Sequence, residues 1–305
     1  MFERLFAKRG LSLDRLRVLI EVREAGSIVK AAGNDPVRQS QYSRQLKELE
    51  EYFGVELTAR KGRTISLTPA GEELAALIKE HFIALGNFSR RLDGEPVPVF
   101  IGAGESLIHW VLIPLASKLQ DNITGVALRL LNCTSSEIGT RLTNRDIDIG
   151  LLRADATTPT MTRKSIGKVS YSLYVPKPLY ALRHGSRNAD LFAQLPMATM
   201  PGDSSIGRTL HSLVEQTGKT INVCLECNSF TGLAQAIETG AYAAVLPSYA
   251  APHVGIEHEQ IDLPLLKPMS REIMLAGQKR KAGLRPEIEK VQAWLSRNVT
   301  LGKDK

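Results

Sequence analysis

The side chains best suited to reading a nucleic acid fall within one short stretch. Gln39, Ser40, Gln41, Ser43, Arg44 and Lys47 come first, with Arg38 just ahead of them, and Arg60, Lys61 and Arg63 follow around Gly62. Amide, hydroxyl and guanidinium groups pair with base edges in a major groove, while lysine and arginine neutralise phosphates. Such chemistry works only if a rigid element carries the first group into the groove and a second holds the cations at its rim.

The surrounding pattern supplies both elements. Tyr42, Leu46, Leu49 and Phe53 recur at helical spacing, so a helix from about Gln39 to Phe53 turns them to a core and leaves Ser40, Arg44 and Lys47 outside. Ser27 caps a short preceding helix with Ile28, Ala31 and Ala32, and also offers a DNA contact there. Gly33, Asn34, Asp35 and Pro36 make the turn between the two. This is a helix-turn-helix, and Arg60, Lys61 and Arg63 on a tight β-ribbon form its wing. Ser12 to Glu24 supplies a supporting helix with Leu13, Leu16, Leu19 and Ile20 on one face.

These residues carry a resemblance. Leu16, Gly26, Ser27, Ala31, Ala32, Gln39, Ser43, Arg44, Leu46, Leu49, Glu50, Gly54, Leu57, Arg60, Leu67, Thr68, Ala70 and Gly71 are similar, in register, to the N-terminal domain of LysR-type transcriptional regulators. Asp35, Arg38 and Thr58 depart from that pattern, where the family usually has a buried leucine, a helix-capping serine and a phenylalanine. The resemblance implies sequence-specific binding of double-stranded DNA and dimerisation through a linker helix.

That helix begins at Pro69 and runs to about Leu92. Leu74, Ile78, His81, Leu85, Phe88 and Leu92 alternate steps of four and three, the spacing of a coiled-coil seam, so Leu74, Ile78, Leu85, Phe88 and Leu92 are expected to pair two subunits. Asp93 to Pro98, with Gly94 and two prolines, then marks a hinge.

Beyond it, strands alternate with helices: Val99 to Gly102, Val126 to Leu131 and Ile147 to Leu152 read as strands, with helices at Ser106 to Gln120 and Glu137 to Thr143. Further strands are expected near Met197 to Met200, Ile221 to Cys227, Ala241 to Leu246 and Arg271 to Ala276. Helices are expected from Ser204 or Ser205, from Thr231 and from Pro286 through Trp294. The pattern predicts an α/β unit with a mostly parallel sheet. The whole resembles the two-lobed type 2 periplasmic-binding-protein fold that serves LysR-type regulators as an effector domain. The expected division is 1–66 for the winged helix-turn-helix, 67–93 for the linker helix and 94–305 for the effector domain, with lobe I at about 94–170 and 266–300 and lobe II at about 171–265.

Open α/β sheets bind ligands beyond the carboxyl ends of their strands. Ser106, Thr134, Ser135 and Arg153 of the first lobe, facing Ser204, Ser205, Phe230 and Thr231 of the second, are therefore the candidate effector residues. Hydroxyls and helix N-termini favour a small anion. No enzyme constellation emerges, since H-E-x-x-H, the P-loop and G-x-S-x-G are absent and Gly102-Ala103-Gly104 lacks a third glycine. No cofactor or metal is expected.

A formal charge of +7 favours polyanion contact, and residues 1–66 hold 13 Lys or Arg against 9 Asp or Glu, four of the seven net charges. Cys133, Cys224 and Cys227, an odd number, fit a reducing compartment; Cys224 and Cys227 lie on an expected strand where a spacing of three points them to opposite faces. MFERLFAKRG has no continuous apolar core, so neither signal peptide nor membrane anchor is expected and the protein is placed in the cytoplasm. The expected function is a transcriptional regulator, a homodimer or homotetramer on a promoter with two related half-sites, modulated by a small-molecule effector, with RNA polymerase as a further partner. The alternative is a cytoplasmic solute-binding module, or an enzyme of the same two-lobed fold, fused to a DNA-binding domain.

Overall fold

Ser12 is extended and its hydroxyl accepts the N–H of Arg15, which starts a helix over Leu13–Ala25 that Gly26, in the left-handed region, ends. The helix buries Leu16, Val18, Leu19 and Val22, while Leu13 is exposed and Ile20 half-buried. The buried stripe is thus rotated from the expected Leu13–Leu16–Leu19–Ile20 face, because three helices, Ile28–Ala31, Pro36–Phe53 and Pro69–Leu92, pack against this one together.

The computed structural model describes residues 3–61, 64–181, 190–279 and 284–302. The chain divides into two units, Met1–Glu95 and Pro96–Lys305.

In the first unit, Gly33 and Asn34 both take positive φ and Asp35 caps the recognition helix Pro36–Phe53, accepting the N–H of Val37 at 2.8 Å and of Arg38 at 3.5 Å. The helix therefore starts three residues before the expected Gln39. A cap at Asp35 followed by Pro36 places Arg38 inside the first turn, where no capping oxygen is required of it. Tyr42, Leu46 and Leu49 are buried as their spacing predicts, but the last inward position belongs to Tyr52, with Phe53 exposed. Tyr52 satisfies its hydroxyl on the Leu5 carbonyl at 2.6 Å, so its polar tip is tolerated inside.

Strands β1 (Thr58–Lys61) and β2 (Thr64–Leu67) pair antiparallel from Thr58↔Leu67 to Lys61↔Thr64. Gly62 and Arg63, expected at the tip of the wing, lie outside the described residues. One Glu50 carboxylate oxygen accepts the N–H of Leu57 at 2.9 Å and both the N–H and the hydroxyl of Thr58 at 2.8 Å. The threonine that departs from the family pattern thereby fastens ribbon to recognition helix.

The linker helix, Pro69–Leu92, is capped by Thr68, whose hydroxyl accepts the N–H of Gly71 at 3.1 Å. Gly71 is buried, and a Cβ there would strike the Leu57 carbonyl, so only glycine permits this approach. Leu74, Ile78 and Phe82 pack onto the core around Leu16, Leu19, Leu46 and Leu49. Leu77, Leu85, Phe88 and Leu92 are exposed. The expected seam is therefore divided: Leu74 and Ile78 serve the fold of their own unit, while Leu85, Phe88 and Leu92, with His81 ahead of them, remain open.

The second unit contains two five-stranded sheets. The first runs β4-β3-β5-β12-β6, with β3 (Val97–Ala103) parallel to β4 (Val126–Asn132) and β5 (Ile149–Arg153), and β12 (Arg271–Gln278) antiparallel to β5 and to β6 (Met161–Val169). The second runs β11-β7-β10-β8-β9, with β7 (Tyr171–Pro176) antiparallel to β10 (Ala243–Pro247) and β11 (His258–Ile261), and β8 (Met197–Thr199) parallel to β9 (Val223–Glu226) and β10. Both sheets are mixed rather than mostly parallel, because β7 and β12, the strands that follow the two passages between the lobes, run antiparallel to their neighbours.

Helices after β3 (Glu105–Asn122, with a π turn at Ile108–Leu112), after β4 (Ser135–Thr143) and at Pro286–Asn298 cover the first sheet. Ser205–Glu215 and Phe230–Glu238 serve the second. The Arg285 guanidinium, buried, grips Asp148 at 2.5 and 3.2 Å, fixing the start of the Pro286 helix to the first lobe. Cys224 is exposed on β9, while Cys227 lies past the strand's end rather than on its opposite face; both are free thiols. Among the described residues, no helix is long and apolar enough to cross a membrane and no cluster of His, Cys, Asp or Glu is arranged to hold a metal ion.

Candidate nucleic-acid interface and effector cleft

Ser40, Gln41, Ser43, Arg44 and Lys47 are exposed along one flank of the recognition helix, with Arg38 at its front; Gln39 is half-buried. Pro36, Val37, Ser40, Gln41 and Arg44 line a shallow groove at the helix's N-terminal end, the end that enters a major groove. Arg60 is exposed on β1, and the strand pairing carries the backbone of Lys61 to the ribbon tip. Ser27 departs from expectation: it is buried and its hydroxyl accepts the N–H of Lys30 at 3.3 Å, so its side chain serves the cap and does not face outward.

Two networks not foreseen in the sequence hold the arginines. Arg38 donates to the Tyr42 hydroxyl at 2.9 Å and lies 5.5 Å from the Tyr42 ring centroid, while Tyr42 donates to Glu21. That hydrogen bond, then the charge around Tyr42, raises the Arg38 pKa above its ordinary value. Arg44 donates from Nε to Glu48 at 3.1 Å, and the other oxygen of Glu48 meets Arg15. Hydrogen bonding to Arg44, with the nearby Arg15 charge, holds the Glu48 carboxyl below the usual range. Both i,i+4 spacings, Arg38 to Tyr42 and Arg44 to Glu48, were readable in the sequence.

In the second unit the lobes meet directly. Ser106, buried at the first turn after β3, lies 2.9 Å from the Tyr249 hydroxyl of the other lobe. Beside it Thr231 donates to the Glu105 carboxylate. Tyr171 and Phe230 approach at 6.0 Å between ring centroids. Trp110 contacts Tyr249 at 6.0 Å and stacks on His253 at 5.8 Å. Burial pushes the Tyr171 phenol up to about 12 against the opposing charges of Arg271 and Arg153, and burial likewise raises Tyr249. Both phenols therefore stay protonated donors near neutrality.

Of the expected effector residues, Ser106, Phe230 and Thr231 are thus brought together. Thr134 is engaged in a capping box with Glu137, whose carboxyl its N–H and hydroxyl hold below the usual range. Ser135 accepts the Arg153 N–H at 3.2 Å, and Arg153 pairs with Asp155 at 3.0 Å beside an open groove on the first lobe. Ser204 caps the N–H of Gly207 at 2.9 Å and Ser205 is exposed; neither takes part in the contact around Ser106. Glu105, Trp110, Tyr171, Tyr249 and His253 were missed, and only Glu105, in the Gly102–Ser106 stretch, carried a local signal.

A winged helix-turn-helix followed by a two-lobed α/β unit defines a DNA-binding regulator with a ligand-responsive domain. Residues 13–72 match the family described as bacterial regulatory helix-turn-helix protein, lysR family, and residues 94–299 match the LysR substrate binding domain. The chain belongs to the LysR family and is a DNA-binding transcriptional regulator with an effector-binding domain.

Over 289 residues it is 25% identical to a probable nitrogen assimilation transcriptional activator of Synechococcus elongatus, covering 90% of this chain and 92% of that protein. It is 31% identical over 176 residues to the transcriptional dual regulator GltC of Bacillus subtilis, covering 56% of each. In fold it resembles full-length LysG of Corynebacterium glutamicum, solved with bound effector Arg (TM-score 0.65, 16% identity, 96% of this chain and 100% of that one). Full-length OxyR of Pseudomonas aeruginosa is similar too (TM-score 0.61, 16% identity, 97% and 99%).

Proposed function

We propose that this regulator binds double-stranded DNA as a dimer, or a dimer of dimers, on two related half-sites. Ser40, Gln41, Ser43 and Arg44 read bases, and Arg38, Lys47, Arg60, Lys61 and Arg63 hold phosphates. Leu85, Phe88 and Leu92, the open half of the linker helix, pair the subunits. It works in the cytoplasm, where RNA polymerase reads out its binding.

The effector enters between the lobes, and the observation that carries this reading is the direct pairing of Ser106 with Tyr249 and of Glu105 with Thr231. A ligand there replaces bonds belonging to both lobes, so its affinity differs between lobe arrangements, as any ligand-driven switch requires. The hydroxyls of Ser106, Thr231 and Tyr249 at this junction suit a small polar ligand, and a small carboxylate or comparable anion is the class to test first.

A thermal-shift screen of small acids, followed by footprinting with and without the hit, tests the proposal. The hit should raise the melting temperature by mass action and alter the length or bend of the footprint. Tyr249→Phe with Ser106→Ala should remove that response and leave DNA binding intact. A response that survives both substitutions, or a footprint identical with and without ligand, rules the cleft out as the switch.

A further inference from the structure

The recognition helix carries an acid where a polyanion must approach, and its geometry gives it a purpose. Glu48 lies one turn after Arg44 and takes the Arg44 Nε–H at 3.1 Å. It is itself anchored, since Arg15 of the supporting helix meets its second oxygen and also donates to the Gly10 carbonyl at 3.1 Å. The Arg44 side chain is 83% exposed, against 27% for Glu48, so the carboxylate sits back against the protein and the guanidinium projects beyond it.

An arginine free to rotate offers a phosphate either its side or its end. With Nε–H held, the two terminal nitrogens remain as a fork, the geometry that matches O6 and N7 of guanine. An exposed i,i+4 pair contributes little to stability, so fold maintenance is a weak reason for placing this charge here. Glu48 also repels phosphate, which penalises sequence-independent contact along the same face.

We infer that Glu48 is a positioning residue for specificity: anchored by Arg15, it aims the Arg44 fork at one guanine in each half-site. The inference rests on Arg44 being a base reader, so the test separates the two.

Selection from a random duplex pool with the full-length protein defines the preferred site, and the affinity ratio between that site and one with the guanine pair replaced is then measured. For the unaltered protein the ratio should be about tenfold or more. Arg44→Ala should abolish it, and Glu48→Gln should reduce it to about threefold while tightening binding to unrelated DNA at low salt. Arg44→Ala with Glu48→Gln should match Arg44→Ala alone at that base pair. Because the readout is a ratio for one protein on two duplexes, a change in folded fraction cancels.

A full ratio in Glu48→Gln, or losses that add in the double variant, overturns the positioning role while Arg44 stands as reader. A full ratio in Arg44→Ala overturns the reading of Arg44 and the inference with it.

Discussion

At the scale of single residues, Asp35 shows how a departure from a family pattern is absorbed. Its carboxylate caps the recognition helix from three positions before Arg38, and Pro36 supplies a pre-set φ for the first turn. Asp35→Ala should destabilise the first unit by about 1 kcal/mol, whereas Asp35→Ser should come close to the original. Urea unfolding followed through the tyrosines of this unit measures it, and equal midpoints for the alanine and serine variants would show that the cap contributes nothing. DNA affinity should fall alongside, since a frayed first turn carries Arg38, Ser40 and Gln41.

At the scale of elements, the linker helix divides its work along its length. Leu74, Ile78 and Phe82 belong to the core beneath the recognition helix, while Leu85, Phe88 and Leu92 face outward. Leu85→Glu with Phe88→Glu should therefore halve the particle mass in light scattering without lowering the first unit's melting temperature, because an unpaired charge is costly only in a buried seam. Unchanged mass would remove this helix from the interface. Leu74→Glu should instead unfold the first unit, an outcome that equal exposure along the seam would not produce.

At the scale of the whole molecule, what was readable in the sequence follows the range of the interactions. Tyr42, Leu46 and Leu49 announce their helix because a period of 3.6 is written within a few turns. Strand β6 exposes Thr162 through Ser165 in succession, and β7 is buried from Ser172 to Pro176, so neither has the alternation that marks a strand. The parallel-sheet expectation failed at those strands. The cleft was legible only in its helix starts: Thr231 lies 126 residues from Glu105, and Tyr249 143 from Ser106, separations that no local pattern spans.

The place of β12 in its sheet carries a consequence for how the protein is made. This strand lies between β5 and β6, yet the ribosome delivers it only after the whole second lobe, Tyr171 to Ile261. Until then the nascent first lobe has an open seam flanked by two unpaired strand edges, while the second lobe has received all five of its strands. Vectorial synthesis thus makes the inserted lobe the earlier folding unit. A chain stopped after Leu266 should keep slow amide exchange in β8 and β10 and lose it in β3 and β5. Slow exchange retained in β3 and β5 would mean that the first lobe closes without β12.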